Sequence, residues 1–239
     1  MSVNINTVYQ RVQSIANKEQ RGYVTPLEFN RFANQAQLEI FEQYFYDLDQ
    51  YLRRSGNDTR YADPVDTLEE KISLFEKFNA TLSYNGSNEV FTLPTDIYKV
   101  NSLWYNNTEI EHVSNKDITN ILASNLTLPT NNHPVYTKNY YGIVVYGGST
   151  ASPYYEKKNS DVKMSYIIKP AVVNWGYVLD ANNDALYNST ASTNFELHAS
   201  EEPNLVIKIL ELAGVAMKAQ DIYQIADKEN IEDIQQQKA

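Results

Sequence analysis

The spacing of apolar residues changes twice along this chain, and those changes restrict its fold class more than any other feature. Between Ile5 and Phe78 apolar side chains recur at three and four residues, from about Ala80 to Ile168 at every second residue, and from Leu205 at three and four again. A period near 3.6 gives a helix one apolar stripe, and a period of two gives a strand one apolar face. The sequence is therefore that of an α+β protein with helical ends and a β-rich middle.

In the first block Ile5, Val8, Val12 and Ile15 share one face of a helix expected to end near Gly22. Thr25-Pro26-Leu27-Glu28 follows, with Thr25 as N-cap, Pro26 at the first helical position and Glu28 closing a capping box. The helix it starts carries Phe29, Phe32, Ala33, Ala36, Ile40, Phe41, Tyr44, Phe45 and Leu48 in one broad stripe, to about Leu52. Arg53 to Pro64 reads as an exposed loop, and Leu68, Ile72 and Phe75 as a shorter helix with a second capping box from Thr67 to Glu70.

Strands are predicted at Thr81 to Tyr84, Glu89 to Leu93, Tyr98 to Tyr105, Val135 to Asn139, Gly142 to Tyr146 and Val162 to Ile168. A helical insert from Lys116 to Ser124 has Ser114 and Asn115 as candidate caps, and Trp175 to Phe195 shows no period and reads as irregular. Ser200-Glu201-Glu202-Pro203 starts the returning helix, whose face holds Leu205, Ile209, Leu212 and Ala216, prolonged by Ile222, Ile225 and Ala226. The expected division is a helical part over 1–78, an inserted β-rich domain over 79–195 and the returning helix with a polar arm over 196–239, in one compact unit of two layers.

Charge narrows the function. The 20 basic and 30 acidic residues give −10, half of it between Glu196 and Ala239, where nine acids face four lysines. Phosphate backbones are gripped by Lys and Arg, so such a chain is a poor general DNA binder, although it can surround DNA without holding it. There is no cysteine, which excludes disulfides, thiolate nucleophiles and cysteine-ligated metals. Met1-Ser2-Val3-Asn4 lacks the features of a signal peptide and no stretch has membrane-spanning length, so the chain is expected to stay in a cytoplasm or in something assembled there. Asn85-Gly86-Ser87 and Asn188-Ser189-Thr190 read as turns.

Motif by motif, catalysis finds no support. Asp180, Asn182 and Asp184 have the spacing that opens a calcium loop, but Ala185 stands where glycine is needed and Ala191 where a bidentate Glu belongs. His112, His133 and His198 are far apart, which favours structural roles. Gly147-Gly148-Ser149 lacks the lysine of a phosphate loop and reads as a hairpin turn. Asp47 with Asp49, and Glu69 with Glu70, point apart on helices and read as solvated faces. No catalytic residue, metal or cofactor is assigned. The 19 tyrosines suit interfaces and sugar-binding surfaces as well as half-buried strands.

Three stretches carry a resemblance. Ala16-Asn17-Lys18-Glu19-Gln20-Arg21-Gly22-Tyr23-Val24-Thr25-Pro26, with the helix from Glu28-Phe29-Asn30 and its Gln35-Ala36-Gln37, resembles structural proteins of short-tailed bacteriophages of the crAss-like group. Phe91-Thr92-Leu93-Pro94-Thr95-Asp96-Ile97-Tyr98-Lys99-Val100 looks like the entry into the β domain of head-to-tail adaptor and tubular tail proteins, and Pro203-Asn204-Leu205 with Ile209-Leu210-Glu211-Leu212-Ala213-Gly214 like their returning helix. The resemblance implies a helical bundle built from N- and C-terminal helices with an inserted antiparallel β-sandwich-like domain. It also implies a homo-oligomeric, dodecameric ring in the head-to-tail region of a virion, assembled in the host cytoplasm, touching the portal and neighbouring tail or ring proteins. Genomic DNA would pass through without tight binding.

The expected core of the bundle is Phe32, Ala36, Ile40, Phe41, Leu205, Ile209 and Leu212. Beyond Ala226 only Ile231 and Ile234 are apolar, too few to order the arm on its own subunit, so Asp227, Glu229, Ile231 and Ile234 are the expected contact with portal or neighbouring ring. The competing expectations are a tail-spike or fibre component whose Tyr-rich β domain binds a glycan, and a wall hydrolase, for which no nucleophile or metal cluster is visible.

Overall fold

The computed structural model describes residues 2–18, 23–53, 62–149 and 155–216. The chain opens with β1 (Ser2–Val3), α1 (Ile5–Lys18), α2 (Pro26–Arg53) and α3 (Ala62–Ser73). It continues through β2 (Glu76–Thr81), β3 (Ser83–Asn85), β4 (Val90–Thr92), β5 (Ile97–Tyr105), β6 (Thr108–Glu109), β7 (Glu111–His112), α4 (Ile118–Ala123), β8 (Val135–Asn139), β9 (Gly142–Gly148), β10 (Tyr155–Lys157) and β11 (Val162–Ile168). It returns through β12 (Tyr177–Leu179), β13 (Ala185–Tyr187), β14 (Phe195–His198) and α5 (Glu202–Ala216). The class is mixed α+β with several antiparallel sheets.

Two compact units form, where one was expected: the described residues up to Leu74 with those from Pro170, and Phe75 to Lys169. The second boundary lies 26 residues before the one read at 195/196, because residues 170–195 are bound to α2, as set out below.

In the helical unit the Thr25 box forms as expected. The Glu28 amide donates to Thr25 Oγ1 at 3.3 Å, and Glu28 Oε2 accepts from the Thr25 amide at 3.1 Å and its hydroxyl at 2.7 Å. α1 buries Ile5, Val8, Tyr9, Val12 and Ala16, whereas Ile15 is exposed; a true 3.6 period carries the buried face through 16 and leaves 15 outside. The Thr67–Glu70 box does not form, because α3 begins five residues earlier, with Pro64 in its first turn, where a missing amide costs nothing. α5 lies against α1 and α2, and α3 against α2. Ala36, Ile40, Phe41, Leu205 and Ile209 are buried, while Phe32 and Leu212, expected in the same core, are half-buried at its rim. Ser200 does not cap α5 directly: it sits in a 3-10 turn, Ala199–Glu201, and its amide donates to His198 Nδ1.

The β unit has a four-stranded sheet, β2-β11-β5-β6, and a six-stranded one, β3-β4-β9-β8-β7 with β10 on β9. All pairs are antiparallel except β7 with β8. Leu103, Val162, Met164 and Tyr166 from the first sheet share one buried cluster with Phe91, Tyr136, Ile143 and Val145 from the second. The strand expected over Thr81 to Tyr84 is broken at Leu82, whose side chain is buried in that cluster, and the chain passes there from one sheet to the other. β2 escaped the sequence reading because its residues are almost all exposed and carry no alternation.

Gly147 and Gly148 belong to β9, pairing with β10, and do not form a turn. A Cβ at Gly147 would stand 2.5 Å from Lys158 Cε, and one at Gly148 3.2 Å from the Asn131 amide, so both glycines make room for packed neighbours. Gly142, at φ +150°, opens β9 where a Cβ would lie 2.1 Å from the Phe91 carbonyl oxygen. In the insert, Ser114 bonds to the Asp117 amide and carboxylate at the start of α4, while Asn115 donates to the Lys138 carbonyl of β8 and caps nothing. No helix among the described residues is long and apolar enough to cross a membrane.

Candidate functional site

The best candidate surface starts from three amides on one side of α2. Asn30, Asn34 and Gln37, at positions i, i+4 and i+7, face the segment Ala171 to Trp175. Asn34 Nδ2 donates to the Val173 carbonyl and its Oδ1 accepts from the Val173 amide, both at 2.9 Å. Asn30 Oδ1 accepts from the Trp175 amide at 2.7 Å, and its Nδ2 donates to Asn174 Oδ1 at 3.0 Å. The buried Gln37 donates to the Ala171 carbonyl at 2.8 Å and accepts from the Glu196 amide at 3.2 Å. A side-chain amide has one donor end and one acceptor end, so it matches a peptide group as a neighbouring strand would; these three bond to the backbone of residues 171, 173 and 175, while the Asn174 backbone pairs with that of Thr193 and the Ala171 amide donates to Glu196.

That ladder fixes Trp175, which is buried, stacks on Tyr9 with centroids 4.0 Å apart and donates from Nε1 to Asn6 Oδ1 at 3.0 Å. Tyr177 and Tyr187 flank the indole at 6.0 and 5.7 Å. Next to it, Gly176 leaves no room for a side chain: a Cβ would lie 2.6 to 2.7 Å from the backbone and Cβ of Ala191. The Gly176 amide donates to Ser192 Oγ, and its carbonyl accepts from the Asn188 amide.

From this base β12 and β13 form a hairpin, pairing Tyr177 with Tyr187, Val178 with Leu186 and Leu179 with Ala185. Its loop contains Asp180, Asn182 and Asp184, the residues with calcium-loop spacing; here the Asp180 amide donates to the Asp184 carbonyl and Asn183 takes φ +65°. The stretch read as irregular therefore contains an ordered hairpin, too short for its alternation to register. Both of its faces are apolar and open: Val178, Leu179 and Leu186 are each 55–56% exposed, and Tyr177 and Tyr187 about 40%. Isolated two-stranded hairpins are marginal in water, and contiguous apolar patches on a subunit surface mark interaction sites. Further exposed leucines, Leu27, Leu38 and Leu52, lie along one line of α2.

Other sequence candidates resolve into structural roles. Asp49 pairs with Arg53 at 2.7 Å, and Asp47 accepts from Gln43 at 2.7 Å. His112 packs on Tyr136, and His198 bonds to Ser200. Glu201, buried, pairs with Lys71 at 2.7 Å and accepts from Asn204 at 2.8 Å, with Lys71 5.6 Å above the Tyr44 ring. This cluster joins α2, α3 and the start of α5. Burial, with the Glu201 carboxylate beside it, raises the Tyr44 hydroxyl above the ordinary tyrosine range. Burial likewise raises Tyr9, helped by Tyr23, whose hydroxyl lies 3.2 Å from its own.

In the β unit Tyr140 and Tyr141 form the β8–β9 turn, 94% and 61% exposed, held by Asn139 Oδ1 accepting from the amides of Tyr141 and Gly142. A shallow hollow of about 430 Å³ is lined by Asn101, Glu109, Glu111, His112 and Tyr136, among others. Among the described residues no group of three His, Asp or Glu is placed to hold a metal ion. Asp227, Glu229, Ile231 and Ile234, with Ile222, Ile225 and Ala226, lie outside the described residues. No protein-family model matches this chain, and a search of curated proteins finds no match.

Proposed function

We propose that this chain is a non-enzymatic structural subunit that assembles with copies of itself into the head-to-tail adaptor ring of a short-tailed bacteriophage, below the portal, as part of the DNA passage. The observation that carries the assembly half of this reading is the rigidly based hairpin with two open apolar faces. The virion half rests on the resemblance of the three sequence stretches, and the order of elements supports it: helices from both ends meet in one unit and the strands between them make another. The finer architecture, a helical bundle carrying a β-sandwich, belongs to this proposal. An acidic subunit suits a channel, because like charge keeps a duplex from adhering as it moves.

The test is the native mass and electron-microscopic image of the full chain, with DNA binding measured alongside. A closed ring and no sub-micromolar affinity for random duplex at physiological salt are expected; a single subunit at every concentration, or tight duplex binding, overturns the reading. A glycan-binding fibre component is the second reading, favoured by the exposed Tyr140–Tyr141 tip. Sugar binding that disappears in Tyr140→Ala would establish it.

A further inference from the structure

The turn between β3 and β4 contains the only Asn-Gly bond in the sequence, and we infer that Asn85 is a site of spontaneous modification: its side chain closes on the Gly86 amide nitrogen and the residue converts to aspartate and isoaspartate. The inference is independent of the self-assembly reading.

The turn brings together what the reaction needs. Asn85 ends β3, paired with Val90, and residues 85–89 are all exposed. Its Oδ1 accepts from the Ser87 amide at 3.0 Å. That bond turns the side chain back along the chain, toward the peptide nitrogen that must attack it. It also sets an N–H donor on the oxygen that becomes negative once Cγ is tetrahedral, the arrangement that stabilises an acyl-transfer intermediate. Gly86 offers its nitrogen with no side chain beside it: outside its chain neighbours, a Cβ there would have Tyr84 Cε1, at 4.0 Å, as its nearest atom.

The chain supplies its own comparison. Among the described residues, Asn4, Asn139 and Asn188 make the same Oδ1 bond to the amide two residues on, at 2.9, 3.0 and 3.0 Å. The residues that follow them, Ile5, Tyr140 and Ser189, carry side chains that crowd the attacking nitrogen, and the Ile5 amide is already committed to Asn194 Oδ1. At Asn85 the same turn is joined to a glycine.

The chemistry needs only base and water. The Gly86 nitrogen gives up its proton and bonds to Asn85 Cγ, Nδ2 takes a proton from water and leaves as ammonia, and a succinimide ring remains. Water then opens the ring. Opening at Cγ gives aspartate; opening at the Asn85 main-chain carbonyl gives isoaspartate, whose main chain runs through Cβ and Cγ. Nothing is oxidised or reduced, and the sum is one water taken up and one ammonia released. Either product adds a negative charge to a turn that already holds Glu89, the partner of Lys157, and isoaspartate lengthens the main chain at the Asn85–Val90 pair that closes the hairpin.

The experiment ages the full-length protein in mildly alkaline buffer, folded and in urea, and maps it by peptide mass spectrometry, with isoaspartate separated from aspartate by chromatography. The peptide holding Asn85 is expected to gain one mass unit before any peptide holding Asn4, Asn139 or Asn188, with isoaspartate among its products, and to do so at least as fast in the folded chain as in urea. Gly86→Ala, whose methyl group meets open space, is expected to slow the conversion roughly tenfold or more with an unchanged circular dichroism spectrum. If Asn4, Asn139 or Asn188 converts first, if Gly86→Ala ages as fast as the wild type, or if Asn85 converts more slowly folded than in urea, the turn does not promote the reaction and the inference fails. Aspartate without isoaspartate also overturns it, because direct hydrolysis and not ring closure is then the route.

Discussion

Replacing Asn34 with alanine tests the ladder that ties the second half of the helical unit to the first. The substitution removes the donor to the Val173 carbonyl and the acceptor for its amide, each at 2.9 Å, beside a Val173 that is 1% exposed. Leaving a buried backbone group unpaired costs about 1–3 kcal/mol, and two are left here. Alanine returns roughly half a kcal/mol through its better helix propensity. The expected net loss is about 1.5–5.5 kcal/mol. Urea unfolding of the full chain, followed by Trp175 fluorescence in a Trp104→Phe background, measures it, and amide exchange at Val173 and Trp175 should accelerate in parallel. Asn34→Asp adds a signature of sign. Its carboxylate can still accept from the Val173 amide but opposes the Val173 carbonyl, which raises its folded-state pKa; only the protonated acid makes both bonds. Stability of this variant relative to wild type should therefore be best below about pH 4, where the unfolded carboxyl also protonates, and be lost as pH rises through the folded-state pKa. A loss below about 0.5 kcal/mol for alanine, with unchanged exchange at Val173, would refute the ladder.

Three further perturbations follow from the packing. Phe41→Ala, at a fully buried ring, should cost about 3–5 kcal/mol in the same unfolding assay. Gly142→Ala should cost at least about 1–3 kcal/mol and loosen exchange protection where β4 meets β9, since the new Cβ would overlap the Phe91 carbonyl. Tyr9 and Tyr44 are held neutral by burial, so stability should be level with respect to them below about pH 9 and fall above about pH 10, where unfolded tyrosines ionise; absorbance titration should show both among the last to titrate.

Some elements were legible from local signals: Thr25 to Glu28 announced the start of α2, and Val135 to Asn139 and Val162 to Ile168 announced β8 and β11 to the residue. What sequence hid had particular causes. β2 is exposed on nearly every residue, so it has no period to read. Thr67 and Glu70 have capping-box spacing inside a helix that had already begun at Ala62. The hairpin at Tyr177 to Tyr187 was hidden because three residues per strand are too few for alternation, and because what orders it lies far away in sequence, on Asn6, Tyr9, Asn30 and Asn34. Three amides at i, i+4 and i+7 beside the buried stripe of α2 were the available clue: polar groups next to a buried face need hydrogen-bonding partners.

Electron microscopy of the purified full-length chain, paired with its native mass, is the direct measure of the proposed self-assembly. Closed rings with an open centre are expected under that reading. A population of folded single subunits at millimolar concentration, unchanged by salt, would contradict it.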